Sequence, residues 1–184
     1  MKVLKLAAAL GSTLALAVAG ATSAEATDHH TIVNGIEFQA SSTQGSFSGT
    51  ATGTGTNPLW GAWSIVVNHT TLLTDRCGDP AISCAHVTGG SFTLGVTSPS
   101  VQAISGTFDR QNWGFPGIVM VDGGSNCRTQ LLHITDSLSS VGAAGGPHTG
   151  TGTFDAYLWH HRHWFFGQCV TYSATVKGNV SLDF

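Results

Sequence analysis

The chain has 184 residues, of which 41% are hydrophobic and only 9% are charged, and its formal net charge is −3. Its few Lys and Arg residues are spread along the chain, so we expect no nucleic-acid partner, because phosphate neutralisation requires clustered positive charge. The 24 Gly residues and the scarcity of charged helix formers argue against a helical protein, and five Trp and nine Phe residues argue against disorder.

The N-terminus has the pattern of a secretory signal peptide. Lys2 and Lys5 precede an apolar run over residues 6–19, and the small residues Ala24 and Ala26 match a cleavage site. The sequence therefore predicts a signal peptide over residues 1–26 and a secreted, extracellular product made of residues 27–184, forming a single all-β domain. No second long apolar stretch follows, so we expect no membrane span.

From residue 27 onwards, apolar residues tend to recur at every second position, which is the period of a half-buried β-strand. The clearest case is the C-terminal segment, where Val170, Tyr172, Ala174 and Val176 alternate with polar residues. Clusters of Gly, Pro, Asn and Asp separate the segments. In chain order, the predicted strands span residues 31–40, 45–53, 59–73, 86–96, 101–109, 115–121, 128–138, 149–160 and 170–183.

This succession of short strands predicts an all-β fold. We expect a single antiparallel β-barrel of about eight or nine strands, with a two-layer β-sandwich as the alternative. Glycines inside the strands favour the barrel, because they allow a sheet to curve. The Gly-rich strands resemble those of lipocalin-like and dirigent-like barrels in general architecture, and this resemblance implies no activity.

The cysteines predict two disulfides. There are four of them, and an even number in a secreted chain favours disulfide bonds in an oxidising compartment. We expect Cys77 to pair with Cys84, because the segment between them is turn-like, and Cys127 to pair with Cys169 by elimination. A zinc site is the competing interpretation, but no two cysteines have the short spacing of a zinc knuckle.

The most unusual segment is residues 159–166, where three His and one Arg lie between aromatic residues. In an extended strand, His161 and His163 point to the same face, so they could bind one metal ion if a neighbouring strand supplied a third ligand. His-x-His followed by Trp resembles the metal-binding strands of cupins and carbonic anhydrases. The candidates for the third ligand are His133, His86 and Asp155.

Two other interpretations of this segment remain open. It can form a solvated hairpin tip at which Trp159 and Trp164 pack across the turn. It can also sense pH, because neighbouring imidazoles repel one another when they are charged.

The aromatic residues favour a recognition surface, since rings that are not all buried can stack on sugars, lipids or other apolar ligands. We therefore expect a small molecule, a glycan or an apolar compound as the partner. The predicted ligand-binding residues are Tyr157, Trp159, His161, Arg162, His163 and Trp164.

Familiar catalytic patterns do not occur in the sequence. It contains no Gly-x-Ser-x-Gly motif, and Glu37 is the only Glu after residue 26, so the facing carboxylates of a glycosidase gain no support. The leading hypothesis is a ligand-binding barrel without catalytic apparatus or cofactor. The alternatives are a metal-dependent secreted enzyme that uses the His-rich strand, and a structural component of the cell surface or matrix.

Overall fold

A computed structural model describes residues 27–55, 57–74, 81–96, 103–111 and 117–184. The predicted signal peptide lies outside these residues. The described part consists of β-strands and one short 3-10 turn, Ser125–Cys127, which confirms the all-β prediction. The strands are β1 (Asp28–Ala40), β2 (Gln44–Thr54), β3 (Gly61–His69), β4 (Leu73–Thr74), β5 (Ser83–Ala85), β6 (Val87–Val96), β7 (Ala103–Phe108), β8 (Ile118–Asp122), β9 (Gln130–Ala143), β10 (Gly150–Phe165) and β11 (Gln168–Asp183).

Eight of these strands close into an antiparallel barrel. The hydrogen-bonded order is β10, β11, β1, β2, β3, β6, β7 and β9, and β9 pairs with β10 to complete the ring. The barrel prediction is therefore confirmed, and the sandwich alternative is wrong. Closure removes the unpaired edges that an open sheet of this length would expose.

The three remaining strands extend the barrel wall at one end. β9 is longer than its neighbour β7, so its second half pairs with β7 and its first half pairs with β8. β8 in turn pairs with β5, and β5 pairs with β4. The predicted strand over residues 59–73 is thus two strands, β3 and β4. The strands β1, β3 and β10 all end on the same side of the barrel. We call this side the upper end.

The lower and middle parts of the barrel are filled with side chains. One face of each strand is buried, and only a gap of about 20 Å³ remains between the inward residues. Trp63 and Phe154 are both buried in this core. The core around this gap includes Val33, Trp63, Ile65, Phe92, Leu94, Phe108, Leu138, Phe154, Val180 and Leu182.

Gly35 lets the largest core side chain lie against the barrel wall. Gly35, Gly49 and Trp63 form one row across β1, β2 and β3. A Cβ at Gly35 would lie 2.7 Å from the Trp63 ring and 2.2 Å from the Ser48 carbonyl oxygen. The indole Nε1 donates to the Asn34 and Thr50 carbonyl oxygens at 3.1 and 3.0 Å. The missing side chain of Gly35 therefore creates space that the indole fills.

The disulfide between Cys127 and Cys169 is confirmed, with 5.5 Å between the Cα atoms. Cys84 is also disulfide-bonded, and its predicted partner Cys77 lies outside the described residues. No described cysteine is a free thiol, so the competing zinc interpretation finds no thiolate ligand among them.

The His-rich segment is part of a long hairpin. β10 continues beyond the predicted end at residue 160 to Phe165, and a turn at Phe166 and Gly167 leads directly into β11. Both turn residues have positive φ, 47° and 76°, as a tight hairpin turn of the I′ type requires. The last pair between β10 and β9 is His160 with Gln130, so residues 161–173 extend beyond β9. We call residues 161–173 the hairpin arm.

Candidate functional site

A cavity of about 310 Å³ lies at the upper end of the barrel. This volume is at the lower end of the range for small-molecule sites, and it contrasts with the filled core beneath it. The walls are mainly apolar, and a few polar groups interrupt them. The lining residues are Glu37, Ala40, Ser41, Ser42, Phe47, His69, Thr71, Leu72, Ile118, Gln130, Leu132, Ile134, Leu158 and His160.

Strand alternation explains why these residues face the cavity. On β10, Phe154, Ala156 and Leu158 are buried, and His160 follows at the same parity. On β9, Leu132 and Ile134 are inward, and Gln130 lies opposite His160 in the ladder. The core faces of both strands therefore continue upward into the cavity wall and end in polar side chains.

Three polar side chains form a connected group in this wall. His160 Nδ1 lies 3.0 Å from Gln130 Oε1, and His160 Nε2 lies 2.8 Å from Glu37 Oε2. The Glu37 and His160 side chains are only 7% and 20% exposed. The Gln130 amide nitrogen donates to Met120 Sδ at 3.7 Å, which directs the Gln130 oxygen toward the imidazole.

Each ring nitrogen of His160 therefore has a polar partner in the cavity wall. A neutral imidazole has one N–H, and the tautomer decides which of the two nitrogens carries it. The contact with His160 offsets part of the cost of burying the Glu37 side chain.

Strand alternation directs Glu37 toward the cavity, and a β-bulge follows it on β1. The register of β1 against β2 shifts between Glu37 and Gln39, so Phe38 has no partner on β2. Glu37 keeps the inward parity of Val33, whereas Phe38 is exposed on the outside. Bulges of this kind commonly redirect a side chain at a functional site.

His69 lies on the opposite side of the cavity lining, at the end of β3. Its Nδ1 lies 2.8 Å from the Thr70 carbonyl oxygen, so Nδ1 carries the proton and donates. The other ring nitrogen, Nε2, is then a hydrogen-bond acceptor. The turn between β1 and β2 adds the hydroxyls of Ser41 and Ser42 to the rim.

The six predicted ligand-binding residues do not line this cavity. Tyr157 and Trp159 have the opposite parity to Leu158, and they lie on the outer surface of β10. The other four, His161, Arg162, His163 and Trp164, belong to the hairpin arm. Whether any of the six binds a ligand stays a prediction.

The outer residues line a shallower depression of about 220 Å³. The Tyr157 ring stacks on the His133 ring with 4.6 Å between centroids, and His133 Nε2 contacts Asp155 Oδ1 at 2.9 Å. His133 and Asp155, two candidates for a third metal ligand, are therefore partners of each other. The depression is lined by Ile32, Asp155, Tyr157, Trp159, Lys177, Gly178 and Asn179.

In the hairpin arm, a bulge separates the two predicted metal ligands. The register shifts between His161 and Arg162, which leaves Tyr172 without a partner on β10. The Tyr172 ring contacts both imidazoles, with centroids 6.3 Å from His161 and 5.1 Å from His163, and His161 Nε2 bonds Thr175 Oγ1 at 3.1 Å. Among the described residues, no three His, Cys, Asp or Glu side chains are grouped closely enough to hold a metal ion.

The arm is attached to the loop over residues 123–127 near its base and again close to its tip, and its aromatic side chains are exposed. Arg162 Nη1 donates to the Gly123 carbonyl oxygen at 3.1 Å, and the disulfide ties Cys169 to Cys127 in the same loop. Phe166 is 93% exposed, and Trp164, Phe165 and Tyr172 are also exposed. The solvated-tip interpretation fits this exposure, but Trp164 pairs with Cys169 on the opposite strand and not with Trp159.

One further ionisable group is buried away from the cavity. Asp136 faces inward on β9, and Gln111 Nε2 donates to its Oδ1 at 3.0 Å. Burial raises the pKa of the Asp136 carboxyl from 3.8 to about 6, against the opposing effect of the Gln111 hydrogen bond. No hydrogen bond reaches Oδ2 within the described structure.

Sequence reasoning missed Glu37, Gln130 and His160 as a group. The sequence did carry a signal for His160, because it lies two positions after Leu158 and therefore on the inward face of β10. Its neighbours His161 and His163 were favoured instead because they share a face with each other. The contact with Glu37 had no local signal, since the two residues lie 123 positions apart.

Comparison with known proteins identified no relative of this chain. No protein-family model matches the chain, and no match was found among curated proteins or solved structures. The described residues also contain no helix that is long and apolar enough to cross a membrane. The case for a function therefore rests on the chain's own geometry.

Proposed function

We propose that this protein is a secreted binding protein that holds a small, largely apolar ligand at the upper end of its barrel. The observation that carries the proposal is a 310 Å³ cavity with a buried contact between Glu37 and His160 in its wall. Small-molecule sites combine apolar surface with a few fixed polar groups, and this wall has that composition. The filled core below makes the upper end the place where a barrel ligand fits.

The proposed compartment follows from the sequence and the sulfur chemistry. Residues 1–26 have the pattern of a signal peptide, and the disulfide between Cys127 and Cys169 is typical of proteins from oxidising compartments. A secreted carrier or receptor for a small molecule is consistent with both.

The test is a fluorescence titration of the secreted chain with N-phenylnaphthylamine, a neutral apolar dye that brightens when it leaves water. We expect saturable binding of one dye per chain. Ser42→Trp, which places an indole at the rim of the cavity, is expected to weaken binding by about tenfold or more.

Thr43→Trp is the matched control, because Thr43 lies on the same exposed turn but does not line the cavity. We expect this variant to bind the dye like the unaltered protein. Equal binding by both Trp variants, combined with loss of binding in Phe166→Ser, would place the dye on the hairpin arm and overturn the proposal. Absence of any saturable binding would also overturn it.

A further inference from the structure

In the upper cavity, most hydrogen-bond donors are used within the protein, whereas some acceptors are not. His160 uses both ring nitrogens on Glu37 and Gln130, and His69 uses Nδ1 on the Thr70 carbonyl. The Gln130 amide directs one of its two hydrogens to Met120 Sδ. Most N–H groups of the lining are therefore already engaged within the protein.

The acceptors, in contrast, remain available. Glu37 Oε2 faces His160, but the described residues donate no hydrogen bond to Glu37 Oε1. Oε1 lies over Gly45, where an added Cβ would come within 2.9 Å of it. His69 Nε2 is a second acceptor, because the proton of that ring is on Nδ1. The Ser41 hydroxyl donates to the Gln44 carbonyl oxygen and accepts from the Thr43 N–H. The hydroxyls of Ser42 and Thr71 can donate or accept, so they do not discriminate between ligands.

We propose that the ligand is an apolar molecule with a hydrogen-bond-donating head group, an alcohol, a phenol or a protonated amine, whose head binds Glu37 Oε1. This inference rests on the proposed function and specifies the ligand class of the same site. Glu37 lines the cavity, and its Oε1 can accept a hydrogen bond from a ligand hydroxyl or ammonium group that displaces water there. A carboxylate head group would instead approach Glu37 with like charge and no donor.

Three probes with one apolar body test this assignment by isothermal titration calorimetry near neutral pH. Phenylbutanol has a donor head, its methyl ether lacks the donor, and phenylbutyrate replaces it with a carboxylate. In the unaltered protein, we expect phenylbutanol to bind about tenfold more tightly than either of the others, because only it can donate to Glu37.

Glu37→Gln is the informative variant, because it keeps the shape of the side chain. In this variant, the side-chain oxygen at position 37 still accepts from His160. The side-chain amide nitrogen at position 37 then takes the place of Oε1, so it offers a donor where the carboxylate offered an acceptor. We expect the preference for phenylbutanol over the ether to disappear or to reverse. His69→Phe is the second variant, since it removes an acceptor without touching the contact between Glu37 and His160, and it should reduce the preference only in part.

The outcomes separate this inference from the proposed function. If all three probes bind the unaltered protein equally, or if phenylbutyrate binds best, the donor-headed ligand class is wrong while the cavity remains a binding site. The donor-headed ligand class is also wrong if Glu37→Gln keeps the preference for phenylbutanol while its near-ultraviolet circular dichroism spectrum shows that it is folded. If no probe binds and N-phenylnaphthylamine does not bind either, the proposed function itself fails.

Discussion

His160 contacts Glu37 across the intervening strand β11, with 2.8 Å between Nε2 and Oε2. The residue opposite His160 on β11 is Ala174, which is buried and has a short side chain. The long side chains of His160 and Glu37 can therefore meet above it. This contact fixes β10 to β1 at the upper end, where the hairpin arm has left the wall of the barrel.

We expect the Glu37 and His160 side chains to be energetically coupled. Removing one partner leaves a buried group without its hydrogen bond, so Glu37→Leu and His160→Leu should each lower the free energy of unfolding by about 1–3 kcal/mol. The double variant should lose less than the sum of the two, by at least about 1 kcal/mol. Urea unfolding of the four proteins measures this coupling, and strictly additive losses would show that the contact contributes nothing.

The glycines beside Trp63 lead to a second prediction. Gly35→Ala would bring a Cβ within 2.2 Å of the Ser48 carbonyl oxygen, so we expect a loss of about 2 kcal/mol or more in the free energy of unfolding. Gly95→Ala is the control within a strand, since its Cβ would meet only the Ala62 carbonyl oxygen at 3.6 Å. The control should be neutral or slightly stabilising, and thermal melts that rank the two variants in the opposite order would contradict the packing described here.

The disulfide of the hairpin arm should stabilise the protein through the unfolded state. Cys127 and Cys169 are 42 positions apart, and opening a loop of this length costs at most about 4 kcal/mol in the chain-entropy model. We expect the double variant Cys127→Ser with Cys169→Ser to unfold at lower urea concentration and to be cleaved first within residues 161–173 in limited proteolysis. Unchanged stability together with an uncleaved arm would show that Arg162 and the strand pairing hold the arm alone.

Asp136 should make the stability of the protein depend on pH. The folded state raises its pKa to about 6, above the ordinary value of 3.8, so the folded state binds the proton more tightly than the unfolded state. The resulting stabilisation is fully present below about pH 4 and is lost as the pH rises through about 6, by at most about 3 kcal/mol.

The Asp136→Asn side chain does not titrate in this range. We therefore expect the free energy of unfolding of the variant, relative to that of the unaltered protein, to increase as the pH rises from about 4.5 to about 7.5. Urea unfolding at the two pH values measures this difference. Asp136→Leu serves as the control, because it also lacks the proton-binding site and should show the same change with pH despite a different absolute stability. A difference between the Asn variant and the unaltered protein that does not vary with pH would refute the raised pKa.

Local patterns were sufficient to predict most of the strands. The alternation at residues 170–183 is present as β11, and the Gly-rich segments form curved strands of a barrel. The boundaries were less accurate where the local pattern is ambiguous. β8 overlaps the predicted strand over residues 115–121, whereas β4 and β5 had no separate signal, because strands of two or three residues depend on their neighbours for pairing.

The predicted site illustrates a different limit. The sequence singled out residues 159–166 because imidazoles and aromatic rings are concentrated there, and the structure places this segment partly on the outside of β10 and partly in an arm beyond the barrel. Only His160 of that segment reaches the cavity. Composition showed where unusual chemistry lies along the chain, but strand parity decided which side chain faces inward.

The sequence by itself determined the all-β class and the main succession of strands along the chain, because both depend on residue types at short range. It also favoured the pairing of Cys127 with Cys169, by elimination, and the structure confirms that pairing. Tertiary structure decided between the favoured barrel and the alternative sandwich, and it alone showed that Glu37 meets His160. Both depend on register between strands that are distant in the chain, and register is set by the packing of the whole core rather than by any segment within it.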